Sequence, residues 1–207
     1  FAAVERPTHK NTAADHARFE VTGHHWADLS EPGYGVSLLN DCKYGYDVHG
    51  DTLRLSLLRA PVDPDPHADE GGHEFTYSLL PHEGEWDELT AEEGLKLNAP
   101  LRAVAGTPDN HQPRNAPLPD FGGLVSTTMA NVFIDSVKKA EDSDALIVRL
   151  HEALGERGPV EVSFGWPLRE AWECDLMEEH DAPLEINESD VPLYIKPFEI
   201  RTIKVWF

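Results

Sequence analysis

From Asp51 to Leu57 every second residue is leucine, with Leu53, Leu55 and Leu57 on one side and Thr52, Arg54 and Ser56 on the other. A period of two is the pleat of a β-strand with one face buried, and no helix can present it. His73 to Leu79 repeats the pattern through Phe75, Tyr77 and Leu79, so the two segments are expected in one antiparallel sheet. Further short runs follow at Asn131–Ile134, Ala145–Leu150, Pro159–Trp166, Ala171–Leu176, Leu184–Ile186 and Leu193–Phe207, separated by Gly, Asp and Ser. In Pro159–Trp166 the residues Val160, Val162, Phe164 and Trp166 face one way. Trp172, Cys174 and Leu176 are expected on the buried side of their strand, with Glu173 and Asp175 in water. The phase of the last run shifts near Thr202 and Ile203, which predicts a bulge. About ten short strands with almost no helix specify an all-β chain of antiparallel sandwiches.

The single predicted helix, Trp86–Leu97, carries Thr90 and Glu93 at capping-box spacing, with Gly94 weakening it. Arg18–Val21 reads as a short strand ending at Thr22 and Gly23, and Pro32-Gly33 as a turn before a buried strand at Val36–Leu39. Ala99–Asp120, rich in proline and poor in large apolar side chains, reads as a surface connection. The expected division is 1–100, a connecting segment 101–125, and 126–207.

The densest chemistry lies between Trp26 and Asp47. At the exit of the Val36 strand, Asn40, Asp41, Lys43, Tyr44 and Asp47 supply an amide, two carboxylates, an amine and a phenol. Such groups hydrogen-bond sugar hydroxyls, and tyrosine stacks on the apolar face of a sugar ring. A polar loop with glycine and tyrosine also caps hairpins, and the residues alone do not choose between the two. Residues 59–72 form a long loop with three prolines, the acids Asp63, Asp65, Asp69 and Glu70, and His67. Their spacing matches no calcium loop, and proline holds Asp63 and Asp65 extended, so no metal is assigned there. Arg59 at the base of the loop is a candidate anchor for a carboxylate or a ligand hydroxyl. His24 and His25 are adjacent, which turns them to opposite faces of a strand and away from a shared metal.

A net charge of −21 opposes binding to nucleic acid or to anionic membrane lipid. No stretch reaches the roughly 18 consecutive apolar residues of a membrane span, and no basic-then-apolar leader opens the chain. The two cysteines, Cys42 and Cys174, have no metal-type spacing and are expected as reduced structural thiols in a cytoplasmic protein. The start at Phe1 rather than Met leads to the expectation of a piece of a longer polypeptide, with Phe1, Val4 and Trp26 forming an apolar face for its neighbour.

Several unbroken motifs carry a resemblance. Residues 6–9 (RPTH), 18–21 (RFEV), 26–31 (WADLSE), 34–47 (YGVSLLNDCKYGYD), 53–59 (LRLSLLR) and 197–202 (PFEIRT) are similar to the C-terminal β region of glycoside hydrolase family 38 α-mannosidases, in the bacterial and fungal cytosolic or vacuolar branch. The resemblance implies a large β-sandwich of the galactose-mutarotase-like supersandwich type, followed by a smaller C-terminal β-sandwich. It also implies a retaining enzyme acting on α-linked mannose in glycans, whose upstream domain holds the aspartate nucleophile and a zinc ion. No residue of this chain matches the family's nucleophile or metal motifs, so no catalytic and no metal residue is assigned, and no cofactor is expected in these 207 residues. The implied partner is that catalytic domain, with homo-oligomerisation also open. Asn40, Asp41, Lys43, Tyr44 and Asp47, with Arg59, become the residues expected to face either the sugar or the neighbouring domain. An independent carbohydrate-binding module is the alternative.

Overall fold

The computed structural model describes residues 2–103, 105 and 123–207. Its elements are α1 (Ala13–Ala17), β1 (Val21–Thr22), β2 (Trp26–Glu31), β3 (Tyr34–Asn40), β4 (Gly45–His49), β5 (Thr52–Leu55), β6 (Tyr77–His82), α2 (Glu88–Asn98), β7 (Val125–Thr127), β8 (Val132–Lys139), β9 (Leu146–Glu152), β10 (Gly158–Phe164), β11 (Glu170–Cys174), β12 (His180–Pro183), β13 (Asp190–Ile195) and β14 (Ile200–Trp206). All strand pairs are antiparallel. The chain divides into two compact units, Val4–Val104 and Ala105–Phe207 with Phe1–Ala3. Most of the predicted connection at 99–120 lies outside the described residues.

The C-terminal unit is a two-sheet sandwich. A three-stranded sheet ordered β13-β10-β7 faces a five-stranded sheet ordered β12-β11-β14-β9-β8. Val160, Val162, Phe164, Val191 and Ile195 from the first sheet and Val148, Leu150, Ile203 and Val205 from the second bury themselves in one cluster. Burying each such side chain contributes about 1.5–3 kcal/mol relative to leaving it in water. Trp166, expected on this face, lies beyond the strand end and is half exposed, with its ring edge-on to Phe207.

No bulge interrupts β14, which pairs in unbroken register with both β9 and β11. Its apparent phase shift has another cause: Thr202, Ile203, Lys204 and Val205 are all buried because this central strand is covered on both faces. Ile203 and Val205 enter the sandwich core, while Lys204 Nζ donates to Asp142 Oδ1 at 2.6 Å on the other side. The bulges fall instead at Glu173/Cys174 and at Ile134/Ser136. On β11 Cys174 is buried and Asp175 exposed as expected, but the other residues depart from the expected faces. Ala171 faces the core, Glu173 pairs with Arg201 rather than standing in water, and Leu176 is exposed in the turn that follows.

In the N-terminal unit the two leucine- and tyrosine-patterned segments separate. β5 joins β1 and β4, whereas β6 joins β3 and β2. Leu53, Leu55 and Leu57 are only partly covered, and Tyr77 and Leu79 are more than half exposed. Arg18–Val21 shrinks to β1, because Thr12 and Asp15 form a reciprocal capping box that folds α1 just before it. For α2 the cap is Asp87, whose side chain accepts from Leu89 N at 3.0 Å. Thr90 is buried instead, 3.0 Å from Ser37 Oγ. Gly94 is needed there, since a β-carbon would meet Trp26 Cδ1 at 2.8 Å.

α2 packs over one face of the β2-β3-β6 sheet and encloses Asp28, Ser37, His82 and Thr90. His82 Nε2 lies 2.7 Å from Asp28 Oδ2, and Ser37 Oγ donates to the same oxygen at 2.8 Å. The imidazole lies close to Gly35, where a β-carbon would come to 2.2 Å from its Cε1. Gly35→Ala is therefore expected to displace His82 and cost about 1–2 kcal/mol, measurable as a shift in the urea midpoint of the full chain. An unshifted midpoint would show that the ring moves freely.

Candidate functional site

β4 sits between β1 and β5, with Thr22 opposite Gly45 and Tyr46 opposite Leu55. The chain enters β4 through Lys43 and Tyr44 and leaves β5 through Ser56 to Arg59. Two backbone bonds hold these ends together: Gly23 N donates to Tyr44 O at 3.1 Å and Ser56 N to Gly45 O at 2.8 Å. Gly45 lets the Glu20 carboxylate approach, as any β-carbon would lie 2.4 Å from its Oε1, and Glu20 accepts from Ser56 Oγ.

These exits form one side of an open cleft of about 630 Å³, with Asp69 and His73 of the long loop also in its lining. Of the six residues singled out in the sequence, Lys43, Tyr44 and Arg59 line it. Phe19, Glu20, Asp69 and His73 were not anticipated there. Tyr44 is about half exposed and meets His24 edge-on at 4.6 Å between ring centres. Lys43 Nζ stands 4.9 Å over the Phe75 ring, and Phe19 is exposed. Two cations, two carboxylates, a phenol, an imidazole and an exposed ring can donate to, accept from and stack on a polyhydroxylated ligand.

Asn40, Asp41 and Asp47 are consumed within the fold. Asn40 is fully buried; its amide donates to Tyr46 Oη and its oxygen accepts from Lys43 N at 2.6 Å. Asp41 Oδ1 accepts from Thr76 N at 3.0 Å. The Cys42 thiol, then the Thr76 amide, lower the Asp41 carboxyl below its ordinary range. In turn the Asp41 carboxylate pushes the exposed Cys42 thiol up, away from the reactive thiolate, while Cys174 is buried in the other unit. Asp47 pairs across the strands with Arg54 and with Lys10 at 3.4 Å, and Arg54 is the main cause of its lowered pKa. The acids of the long loop staple that loop to itself, Asp69 accepting from Ala60 N at 2.9 Å and Glu70 facing His67 at 3.1 Å. Among the described residues no three His, Cys, Asp or Glu side chains converge to hold a metal ion.

Val4 is exposed as expected, but Trp26 is packed against Trp86 at 4.8 Å and under Gly94, so it does not belong to an open face. Phe1 lies outside the described residues.

Two family models match this chain. That of the glycosyl hydrolases family 38 C-terminal domain covers residues 1–67, and that of the family 38 C-terminal beta sandwich domain covers residues 131–203. The chain belongs to the C-terminal β region of glycoside hydrolase family 38. Among family 38 relatives, human alpha-mannosidase 2C1 is 41% identical over 98% of this chain and 19% of its own length. Alpha-mannosidase G of Dictyostelium discoideum is 40% identical over 99% of this chain and 19% of its own. Alpha-mannosidase of Saccharomyces cerevisiae is 32% identical over the whole chain and 20% of its own length. The chain thus spans about a fifth of the curated relatives it matches. The crystal structure of an alpha-mannosidase from Enterococcus faecalis superposes with a TM-score of 0.77 over 98% of this chain and 23% of that one, at 21% identity, which shows a shared fold.

Proposed function

We propose that these residues serve as the C-terminal β region of a longer, retaining α-mannosidase and hold the cleft of Lys43, Tyr44 and Arg59 toward the α-mannosyl substrate or toward the domain that cleaves it. The match of family 38 models to both units carries this reading. Retaining hydrolysis needs an attacking carboxylate and a proton-donating carboxyl about 5 Å apart. The side chains here supply binding and bracing, and the zinc implied by the resemblance has no ligand set among the described residues. Two unpaired cysteines fit a reducing compartment, in keeping with a cytoplasmic location.

The deciding experiment is hydrolysis of an aryl α-mannoside by the longer native polypeptide and by the 207 residues alone. Turnover is expected from the first and none from the second; turnover by the second, or by neither, overturns the proposal. Within the longer polypeptide, Tyr44→Ala and Arg59→Ala are each expected to lower kcat/KM about tenfold, equivalent to about 1.4 kcal/mol. Both are exposed, so the stability of the 207-residue chain should change by no more than about 0.5 kcal/mol. Unchanged kcat/KM for both variants would remove the cleft from the reaction. The exposed Phe19 and Tyr44 also suit a binding module acting alone. Calorimetry of the 207 residues with mannose and short mannosides separates the readings, since measurable heat at millimolar sugar favours the module.

A further inference from the structure

The N-terminal unit lacks the interior that a hundred residues ordinarily build. Among its described residues the buried apolar side chains are Leu38, Leu39 and Tyr46, and both buried hydrophobic clusters lie in the other unit, one of them with thirteen members. The deficit has a location. In the β2-β3-β6 sheet, register sets Ala27 and Leu79 opposite Leu38, and Leu29 opposite Val36. Opposed residues share a face. Its middle rows, Ala27-Leu38-Leu79 and Leu29-Val36-Pro81, are therefore apolar from β2 to β6, and this is the face opposite α2, which covers Ser37 and Trp26. Tyr46 reaches it at the Asn40 end. Toward β6 it opens, with Leu79 65% and Tyr77 55% exposed, while Leu29 on β2 and Val36 on β3 are partly covered.

We propose that this face is the seat of the polypeptide that precedes these residues in the longer enzyme, and that the N-terminal unit reaches full stability only when that polypeptide covers it. The proposal rests on the reading of the chain as the C-terminal part of a family 38 enzyme. The relatives carry about four-fifths of their length outside the matched region, and the family descriptions place that region at the C-terminus. A second copy is the poorer occupant, because each copy brings a charge of −21 to the contact. The contact is across the face rather than along the edge of β6, since Pro81 has no N–H to offer an added strand.

Hydrogen exchange on the 207-residue chain and on the longer native polypeptide tests this. In the 207 residues, the amides of β3 and β6 that bond within the sheet are expected to exchange at least about a hundredfold faster than those of β9 and β14. In the longer polypeptide the β3 and β6 amides should slow at least about tenfold while β9 and β14 stay unchanged. Leu79→Glu should leave exchange in the 207 residues unchanged and abolish the slowing in the longer polypeptide. Equal protection of β3 and β9 in the 207 residues, or no slowing in the longer polypeptide, overturns the inference. So does concentration-dependent protection of the 207 residues, which would make a second copy the occupant. Mannoside hydrolysis on the same longer sample keeps the two ideas apart: hydrolysis without slowing sinks this inference alone, and slowing without hydrolysis sinks the enzymatic reading alone.

Discussion

Replacing Glu152 by alanine is expected to lower the stability of the C-terminal unit by about 3 kcal/mol. The carboxylate is fully buried at the end of β9 and is surrounded by donors. Leu154 N reaches it at 2.7 Å, Gly155 N at 2.8 Å, Phe198 N at 2.8 Å and Asn131 Nδ2 at 2.9 Å. It thereby ties the turn after β9, the turn before β14 and the start of β8 to one point. Truncation takes the acceptor from three backbone N–H groups and leaves the Asn131 amide only its longer bond to Glu156 Oε2 at 3.3 Å, which is why the loss exceeds that of a surface change. Burial alone would raise the Glu152 pKa. The amides of Phe198 and Leu154, that of Glu156 and the Asn131 side chain together outweigh burial and hold it below the ordinary value of 4.5. A carboxyl whose folded pKa is depressed gives stability that is complete above its unfolded pKa and lost as pH falls through the folded one. Wild-type stability should hence fall as pH drops below about 4.5, and Glu152→Gln, which presents an amide to a ring of donors, should flatten that dependence while costing nearly as much at pH 7. Urea denaturation at pH 7 and below pH 4, read through exchange of β9 and β14 amides, measures both. A loss under 1 kcal/mol for the alanine variant would mean that water takes the place of the carboxylate.

The C-terminal sandwich was legible because its strands bury one face each, and a buried face writes its period directly into the sequence. Val160, Val162 and Phe164 lie where alternation put them. Prediction failed on β14, where Thr202 and Lys204 are buried by contacts on the second face, so polarity stopped reporting exposure. It failed on β11 because the side chain opposite Val205 is an alanine, and Ala171 is too small to mark the core side beside Trp172. For the candidate site, residue chemistry singles out Lys43, Tyr44 and Arg59, which line the cleft, together with Asn40, Asp41 and Asp47, whose polar atoms are spent inside the fold. Glu20, Asp69 and His73 were not assigned to the cleft because they come to line it with Lys43 and Arg59 only through the tertiary fold, which no local pattern encodes. The capping box of Thr12 and Asp15 was a local signal, and it announces α1.

Asn40→Ala is expected to cost the N-terminal unit about 3 kcal/mol, a large effect for a unit with so few buried apolar side chains. Asn40 ends β3 with every polar group engaged. Its N–H donates to His25 O at 2.9 Å, its carbonyl accepts from Asn98 Nδ2 at 3.0 Å, its amide donates to Tyr46 Oη and its oxygen accepts from Lys43 N at 2.6 Å. The substitution spares the first two bonds and breaks the last two, stranding a buried phenol and the backbone N–H that turns the chain into the cleft. Burial already raises the Tyr46 pKa and the Asn40 bond opposes that rise, so the phenol cannot escape the loss by ionising. Tyr46→Phe removes only the phenol bond and should cost about 1–1.5 kcal/mol. Exchange at the Lys43 amide distinguishes the two: it should quicken at least about tenfold in Asn40→Ala and stay near wild type in Tyr46→Phe. If both variants leave that amide equally protected, the cleft wall is held by the β4 ladder alone, and Asn40 is a packing residue with no part in placing Lys43 and Tyr44.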